Sequence, residues 1–327
     1  MKNRDAFVHQ RSQAWHELDQ LLYTLRGKRT PTATQVSRLG SLYRDLCSDL
    51  MQARSQGAGP DIVAHLDALA ARAHNQLYES RPYRVGAIKE LLLSDFPRAL
   101  RKNWGFFCAS LILFGLPLLI GLMGSLRSRD FAMAVLPNEM LEQMAESYAK
   151  GFDEGRNANA DAAMAGFYVY NNVGIAFRCF ATGVLFGLGS VFFLVYNGLI
   201  IGTVFGHVTA TGGGPNILAF VSGHSAFELT AIVISGAAGL QMGYALIHTG
   251  GRTRLGSLRS QARELVALVS GAAVMLLIAA AIEGFWSPSA APPPLKWAVG
   301  ALNVLSVALF LSFAGRTKKS LAPAAET

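Results

Sequence analysis

The chain has 327 residues, 51% of them hydrophobic and only 15% charged, where soluble proteins of this size carry about a quarter charged residues. Its formal net charge of +8 raises the question of nucleic acid. The basic residues cluster beside apolar stretches, however, with no aromatic-interleaved basic patch, so the excess charge orients a membrane protein and no nucleic-acid partner is expected. Residues 1–103 hold sixteen Lys/Arg and ten Asp/Glu, whereas Asn172 to Gly315 hold few charges, so a polar N-terminal part precedes an apolar C-terminal one.

Residues 1–90 read as a soluble three-helix domain. Trp15, Leu18, Leu21, Leu22 and Leu25 recur at helical spacing until Gly27 to Pro31 break the pattern. Thr32 and Gln35 have capping-box spacing ahead of a second stripe of Val36, Leu39, Leu42, Tyr43, Leu46 and Leu50. Gly57 to Pro60 interrupt again, and Ile62, Leu66, Leu69, Ala73 and Leu77 form the third stripe. Arg4, Asp5, Arg11, Glu17 and Asp19 make the first thirty residues charged, so no cleavable signal is expected and the first membrane helix serves as its own targeting signal.

Residues 91–103 read as an interfacial elbow, with Arg98, Arg101 and Lys102 among apolar residues and Trp104 at the boundary. Residues 104–124 are uncharged and long enough to cross a hydrocarbon core of about 30 Å, with a kink expected at Pro117. Residues 125–171 turn polar and acidic, with Asp130, Glu139, Glu142, Glu146, Asp153, Glu154 and Asp161. Met140, Leu141, Met144, Tyr148 and Phe152 share one face of a helix capped by Asn138, which lies on the outer boundary or stands as a solvated linker.

Residues 172–315 form a glycine-rich apolar core with runs at 173–195, 199–211, 217–247, 265–286 and 297–314. Arg252, Arg254, Arg259 and Arg263 in one loop, and Arg316, Lys318 and Lys319 in the tail at 316–327, belong on the cytoplasmic side with Arg98, Arg101 and Lys102, while the uncharged Pro-rich link at 288–294 suits the outer side. The fold class is therefore all-α: a polytopic membrane bundle of about six transmembrane helices, the short 199–211 run being a full span or a re-entrant helix, with an N-terminal soluble helical bundle. The expected location is the inner (plasma) membrane with the N-terminus in the cytoplasm.

Gly198, Gly202 and Gly206 stand four apart, and Gly183/Gly187 and Gly239/Gly243 repeat the spacing. Lipid tails give helices no hydrophobic reason to associate, so these glycines point to close backbone packing, inside the bundle or between the subunits of a homo-oligomer. Arg178, His207, His224, Glu228, His248 and Glu283 lie in or near apolar runs, where a charge costs about 2.5–3.5 kcal/mol and requires a partner. His224 and Glu228, at i and i+4, share a helix face. The reading is an Arg178–Glu228 pair completed by His224, Asn197 and Asn172, serving either as a structural staple or as a polar route across the bilayer.

Catalytic motifs are missing. His224-Ser225-Ala226-Phe227-Glu228 is not H-E-x-x-H, so His224, Glu228 and His207 are weak metal candidates, and no resident metal or cofactor is expected. No G-x-S-x-G occurs, and Gly212-Gly213-Gly214-Pro215 lacks the Lys and Ser/Thr of a phosphate loop. Cys47, Cys108 and Cys179 make neither a disulfide framework nor a metal knuckle.

Asn171-Asn172-Val173-Gly174-Ile175-Ala176-Phe177, Gly183-Val184-Leu185-Phe186-Gly187, Asn197-Gly198, Gly202 and Gly223-His224-Ser225-Ala226-Phe227-Glu228-Leu229 together resemble the stage II sporulation protein M family over roughly residues 100–315. Ser225 stands where that family usually has Gly after the His. Trp15, Leu42-Tyr43-Arg44 and Arg72-Ala73-His74-Asn75 resemble the cytoplasmic extension of its longer members. The resemblance implies a multispanning protein without established catalysis, the membrane anchor of a peptidoglycan-remodelling complex in spore-formers, whose longer relatives accompany MoxR-type ATPases and other membrane proteins. A non-enzymatic scaffold in the lipid bilayer, assembled with other envelope proteins, is thus expected, with a transporter or channel as the alternative.

Overall fold

The computed structural model describes residues 2–25, 32–78, 85–149 and 158–316. The expected turn at Gly27 to Pro31, together with Phe152, Asp153, Glu154, Lys318 and Lys319, lies outside them. The described residues are helical without strands, and the chain divides into two compact units, Met1–Arg84 and Val85–Thr327.

The first unit consists of α1 (Lys2–Leu25), α2 (Ala33–Ser55) and α3 (Pro60–Tyr78). The capping box forms: Thr32 Oγ1 accepts from Gln35 N at 3.2 Å and Gln35 Oε1 accepts from Thr32 N at 3.0 Å. The three stripes meet in one core of Trp15, Leu18, Leu22, Leu25, Leu39, Leu42, Leu46, Leu66, Leu69 and Ala73, while Val36 stays exposed. Asp49 is buried in this unit and accepts from Trp15 Nε1 at 2.7 Å and Arg11 Nε at 2.8 Å, which satisfies its charge.

The second unit opens with α4 (Val85–Glu90), a π-helical turn at Leu91–Asp95 and α5 (Phe96–Lys102). Helix therefore begins before residue 91, and the elbow packs one face on the bundle. Phe96, Ala99 and Leu100 are buried, and the Phe96 ring fills the space beside Gly271. Arg98 Nε donates to Gly315 O at 2.6 Å, and Arg101 donates to Leu311 O and Ala314 O at 2.6 and 2.7 Å, so α5 supplies the cap for the last carbonyls of α14 (Pro293–Phe313).

The long helices are α6 (Trp104–Arg127), which runs through Pro117, α9 (Ala158–Ala181), α10 (Leu188–Val208), α12 (Ser225–Ile247), α13 (Arg254–Ala281) and α14. Between α6 and α9 lie α7 (Arg129–Val135) and α8 (Asn138–Ala149). Ser128, not Asn138, makes a side-chain cap here, accepting from Phe131 N at 3.2 Å; Asn138 is already helical and donates to Glu142. Leu141 of α8 is buried with Ala132 and Leu136 against Ile200 and Val204, so this segment packs on α10 and is not a free linker.

Among the described residues, five stretches are long and apolar enough to cross a membrane: Trp104–Arg127, Leu188–Ser222, Ser225–Ile247, Arg254–Trp286 and Pro293–Phe313. The sixth long helix, α9, carries Asn171, Asn172 and Arg178 and falls outside that set. Three boundaries differ from the sequence reading. The 173–195 run breaks at 182–187, where Phe186 (φ 55°) and Gly187 (φ 86°) turn the chain through left-handed backbone. The 199–211 run is not a separate helix: residues 199–208 complete α10, and 209–211 enter a π-helical turn at Thr209–Gly213. The broken element is α11 (Gly214–Ser222), set off from α10 by Gly212 (φ 96°) and from α12 by a turn at residues 223–224.

Glycines set how closely these helices approach. A Cβ at Gly198, Gly202 or Gly206 would collide with the carbonyl oxygens of Phe114, Leu118 or Leu122, and one at Gly121 would lie 2.5 Å from Leu199 O, so α6 and α10 touch backbone to backbone. Gly183 meets Gly239, and Gly243 meets Gly187, which joins the turn between α9 and α10 to α12 in the same way. Ser110 of α6 donates to Val233 O at 2.7 Å and ties α12 to the pair.

Gly202→Ala should therefore destabilise the bundle by about 1–3 kcal/mol through overpacking. Gly115→Ala, on α6 with nothing within 4 Å of its added Cβ, should not. Thermal unfolding of the two detergent-solubilised variants checks the difference.

Candidate functional site

The break between α11 and α12 builds the polar centre of the second unit. His224 precedes α12, and its carbonyl accepts from Phe227 N and Glu228 N at 3.0 and 3.1 Å, so the imidazole and the Glu228 carboxylate rise from one face at the start of a helix. Asn303 Nδ2 donates to Gly223 O at 2.8 Å and satisfies a carbonyl freed by the break. From the other side, α13 gives way to a π-helical turn at Ile282–Trp286, a widening that commonly accompanies functional sites. Glu283 sits in this turn. Gly223 admits the turn closely: its added Cβ would stand 3.0 Å from Trp286 Cδ1.

Four side chains converge. His224 Nε2 lies 3.6 Å from Glu228 Oε2 and 3.9 Å from Glu283 Oε1, and one ligand atom from each of the three falls within 4.8 Å of the other two. Asn172 of α9 donates to Glu283 Oε2 at 3.4 Å, and Asn171 donates to Asn172 Oδ1 at 2.9 Å. The far side of the imidazole is fixed as well, with Nδ1 3.0 Å from Ser287 Oγ. Lys296, only 3% exposed, donates to Ser287 O and Ser289 O at 2.8 Å each and pins the loop that carries Ser287. The side chains of His224, Glu228 and Glu283 are 4%, 15% and 10% exposed, so this is an enclosed site.

Of the residues singled out in the sequence, His224, Glu228 and Asn172 come together. Arg178 does not join them: it is exposed on α9, and its Nε donates to Gly174 O at 3.0 Å one turn back. The Arg178–Glu228 pair is thus replaced by Glu228 facing His224. Asn197 is also elsewhere, donating to Phe193 O within α10, and His207 lies outside the cluster. Three residues enter that sequence reading left out of the centre. Glu283 was visible only as an isolated acid in an apolar run, Ser287 gave no signal, and Lys296 stood as a lone cation between Leu295 and Trp297, a signal that was available.

A separate cavity of about 470 Å³ lies between α6, α12 and α14, with Trp104, Phe107, Thr230 and Val304 among its walls and Arg101 and Arg316 at one end. His224, Glu228 and Glu283 are not among its lining residues.

The comparisons agree with this division of the chain. A family model described as Stage II sporulation protein M matches residues 105–288, more than half of the chain, and a second, described only as a domain of unknown function, matches residues 5–79. An uncharacterized protein of Methanocaldococcus jannaschii is 25% identical over 123 residues, covering 37% of this chain and 69% of that protein. No solved structure matches.

Arg178→Ala should leave the stability of the solubilised protein, read from thermal unfolding, within about 0.5 kcal/mol of the parent, as an exposed substitution does. His224→Ala removes the imidazole's hydrogen bond to Ser287 Oγ and leaves a gap in the buried centre, and should cost about 1–3 kcal/mol. Equal losses from the two variants would restore a pairing role for Arg178.

Proposed function

This chain belongs to the stage II sporulation protein M family, and from that premise we propose that it is a non-enzymatic membrane scaffold. Its second unit anchors an envelope complex in the bilayer, and its first unit recruits a cytoplasmic partner. The observation that carries the proposal is the closure of the second unit: helices meet at glycine backbone contacts, and the polar side chains between them turn toward one another. A closed bundle of this kind suits a rigid anchor. A transport route would need polar groups opening onto a cavity, and the walls of the 470 Å³ cavity between α6, α12 and α14 are mostly apolar and do not include Glu228.

The first unit supports the recruiting role. It has its own core, and its outer faces carry balanced ion pairs such as Arg38–Glu17 at 2.6 Å and Arg54–Asp67 at 2.6 Å, which leave a solvated, mixed-charge surface. Orientation in the plasma membrane with this unit in the cytoplasm is supported by the gathering of cations at one end of the second unit. There Arg98 and Arg101 cap α14, Arg263 pairs with Asp95 at 3.0 Å, and Arg316 follows α14. Partners of the family's longer members, MoxR-type ATPases and further membrane proteins, are the candidates to look for.

Cross-linking in membranes followed by copurification should recover a defined partner with the full chain, and a chain lacking residues 1–84 should insert but lose the cytoplasmic part of that complex. Proteoliposomes holding the full chain should show no ion or proton flux above empty vesicles. Flux that disappears in Glu228→Gln, with an unchanged set of partners after the deletion, would overturn the scaffold in favour of transport.

A further inference from the structure

We propose that His224, Glu228 and Glu283 bind a divalent transition-metal ion of the zinc class inside the bundle. The proposal stands apart from the scaffold reading, because a metal here ties helices together whatever the protein assembles with. Its basis is the spacing of the three ligand atoms. At 3.6 and 3.9 Å, His224 Nε2 is too far from the two carboxylates for hydrogen bonds. Those separations come close to the distance between neighbouring ligands of a four-coordinate ion, about 3.4 Å for metal–ligand bonds of about 2.1 Å. All three ligand atoms lie within 4.8 Å of one another, and an inward movement of the flexible carboxylate side chains brings them to bonding distance around one ion.

The surroundings have the features that hold a metal ligand in place. A ligating histidine characteristically uses its second ring nitrogen in a hydrogen bond that fixes ring orientation and tautomer, and His224 Nδ1 does so with Ser287 Oγ at 3.0 Å. The ligating carboxylate is oriented in turn: Asn172 Nδ2 holds Glu283 Oε2, which leaves Oε1 directed at the imidazole. The three ligands come from the start of α12 and the π-helical turn after α13, and the Asn172 contact adds α9, so one ion would clasp three elements at a point where two helices are broken. One imidazole and two carboxylates form a donor set suited to Zn²⁺ or Mn²⁺. Three protein ligands leave a fourth position for water.

The test uses the full chain purified in detergent. Elemental analysis after purification without chelator should find about one zinc-class ion per chain. After chelation, Zn²⁺ added alone should raise the thermal midpoint, and Mg²⁺ at the same concentration should not. Glu283→Gln and His224→Gln should each weaken zinc binding at least tenfold, as loss of a ligand requires. Co²⁺ should give the absorption of a four- or five-coordinate nitrogen/oxygen site. The cobalt spectrum and zinc titration of the parent decide the matter whether or not either variant folds. An octahedral cobalt spectrum, a Zn²⁺ response no larger than that of Mg²⁺, or unchanged zinc binding in folded variants would overturn the site and assign any zinc present to histidines elsewhere in the chain.

Discussion

In hydrocarbon, helices gain nothing by burying apolar side chains against each other, because lipid is as apolar as leucine. What can hold them is backbone brought close enough for dispersion contacts along the whole seam, together with polar groups that find partners only inside the bundle. Both devices appear here. Gly198, Gly202 and Gly206 put α10 against the carbonyls of α6, Gly183 and Gly187 put the turn between α9 and α10 against Gly239 and Gly243 of α12, and Ser110 bonds across to Val233 O. The rest of the second unit is arranged around these two seams. Large apolar side chains such as Ile112, Leu116, Phe192 and Leu302 can face outward because the helices do not need them for cohesion.

The polar centre follows from the same geometry. In antiparallel or parallel packing at close range, a helix that breaks presents its freed backbone groups and first-turn side chains to its neighbours. The breaks at residues 223–224 and at 282–286 lie side by side because Gly223 admits Trp286 closely, and Asn303 closes one of the carbonyls left open. His224, Glu228 and Glu283 are thereby gathered from positions far apart in the chain, and Lys296 steadies the loop behind them. The site owes its existence to two local departures from regular helix, each tolerated because surrounding helices satisfy what it exposes.

Much of this was legible in the sequence where the signal is local. The three stripes of the first unit follow a 3.6-residue period, and the Thr32 capping box depends on residues three apart, so both appear where expected. Helical state and apolar character were equally plain in the second unit. The breaks were not, since apolar composition continues through 182–187 and 217–247, and turns whose backbone packs against neighbouring helices need no polar residues of their own. Partner assignment across helices failed for a related reason. Depth along a helix can be read from sequence, but direction cannot: Arg178 has a suitable depth to meet Glu228 and points away to Gly174 O, whereas Glu283, fifty-five positions beyond Glu228, points in. An evenly apolar helix has no polar face to show which way a single ionic side chain turns.

The backbone contact between α6 and α10 can be tested in the membrane itself by thiol accessibility. In a chain whose native cysteines have been replaced, Thr203→Cys, a fully buried position beside Gly121, should resist a membrane-permeant thiol reagent, while Tyr196→Cys, half-exposed on the same helix, should react. Comparable labelling of the two positions would show that the helices stand apart, and the account of how this bundle is held would not survive it.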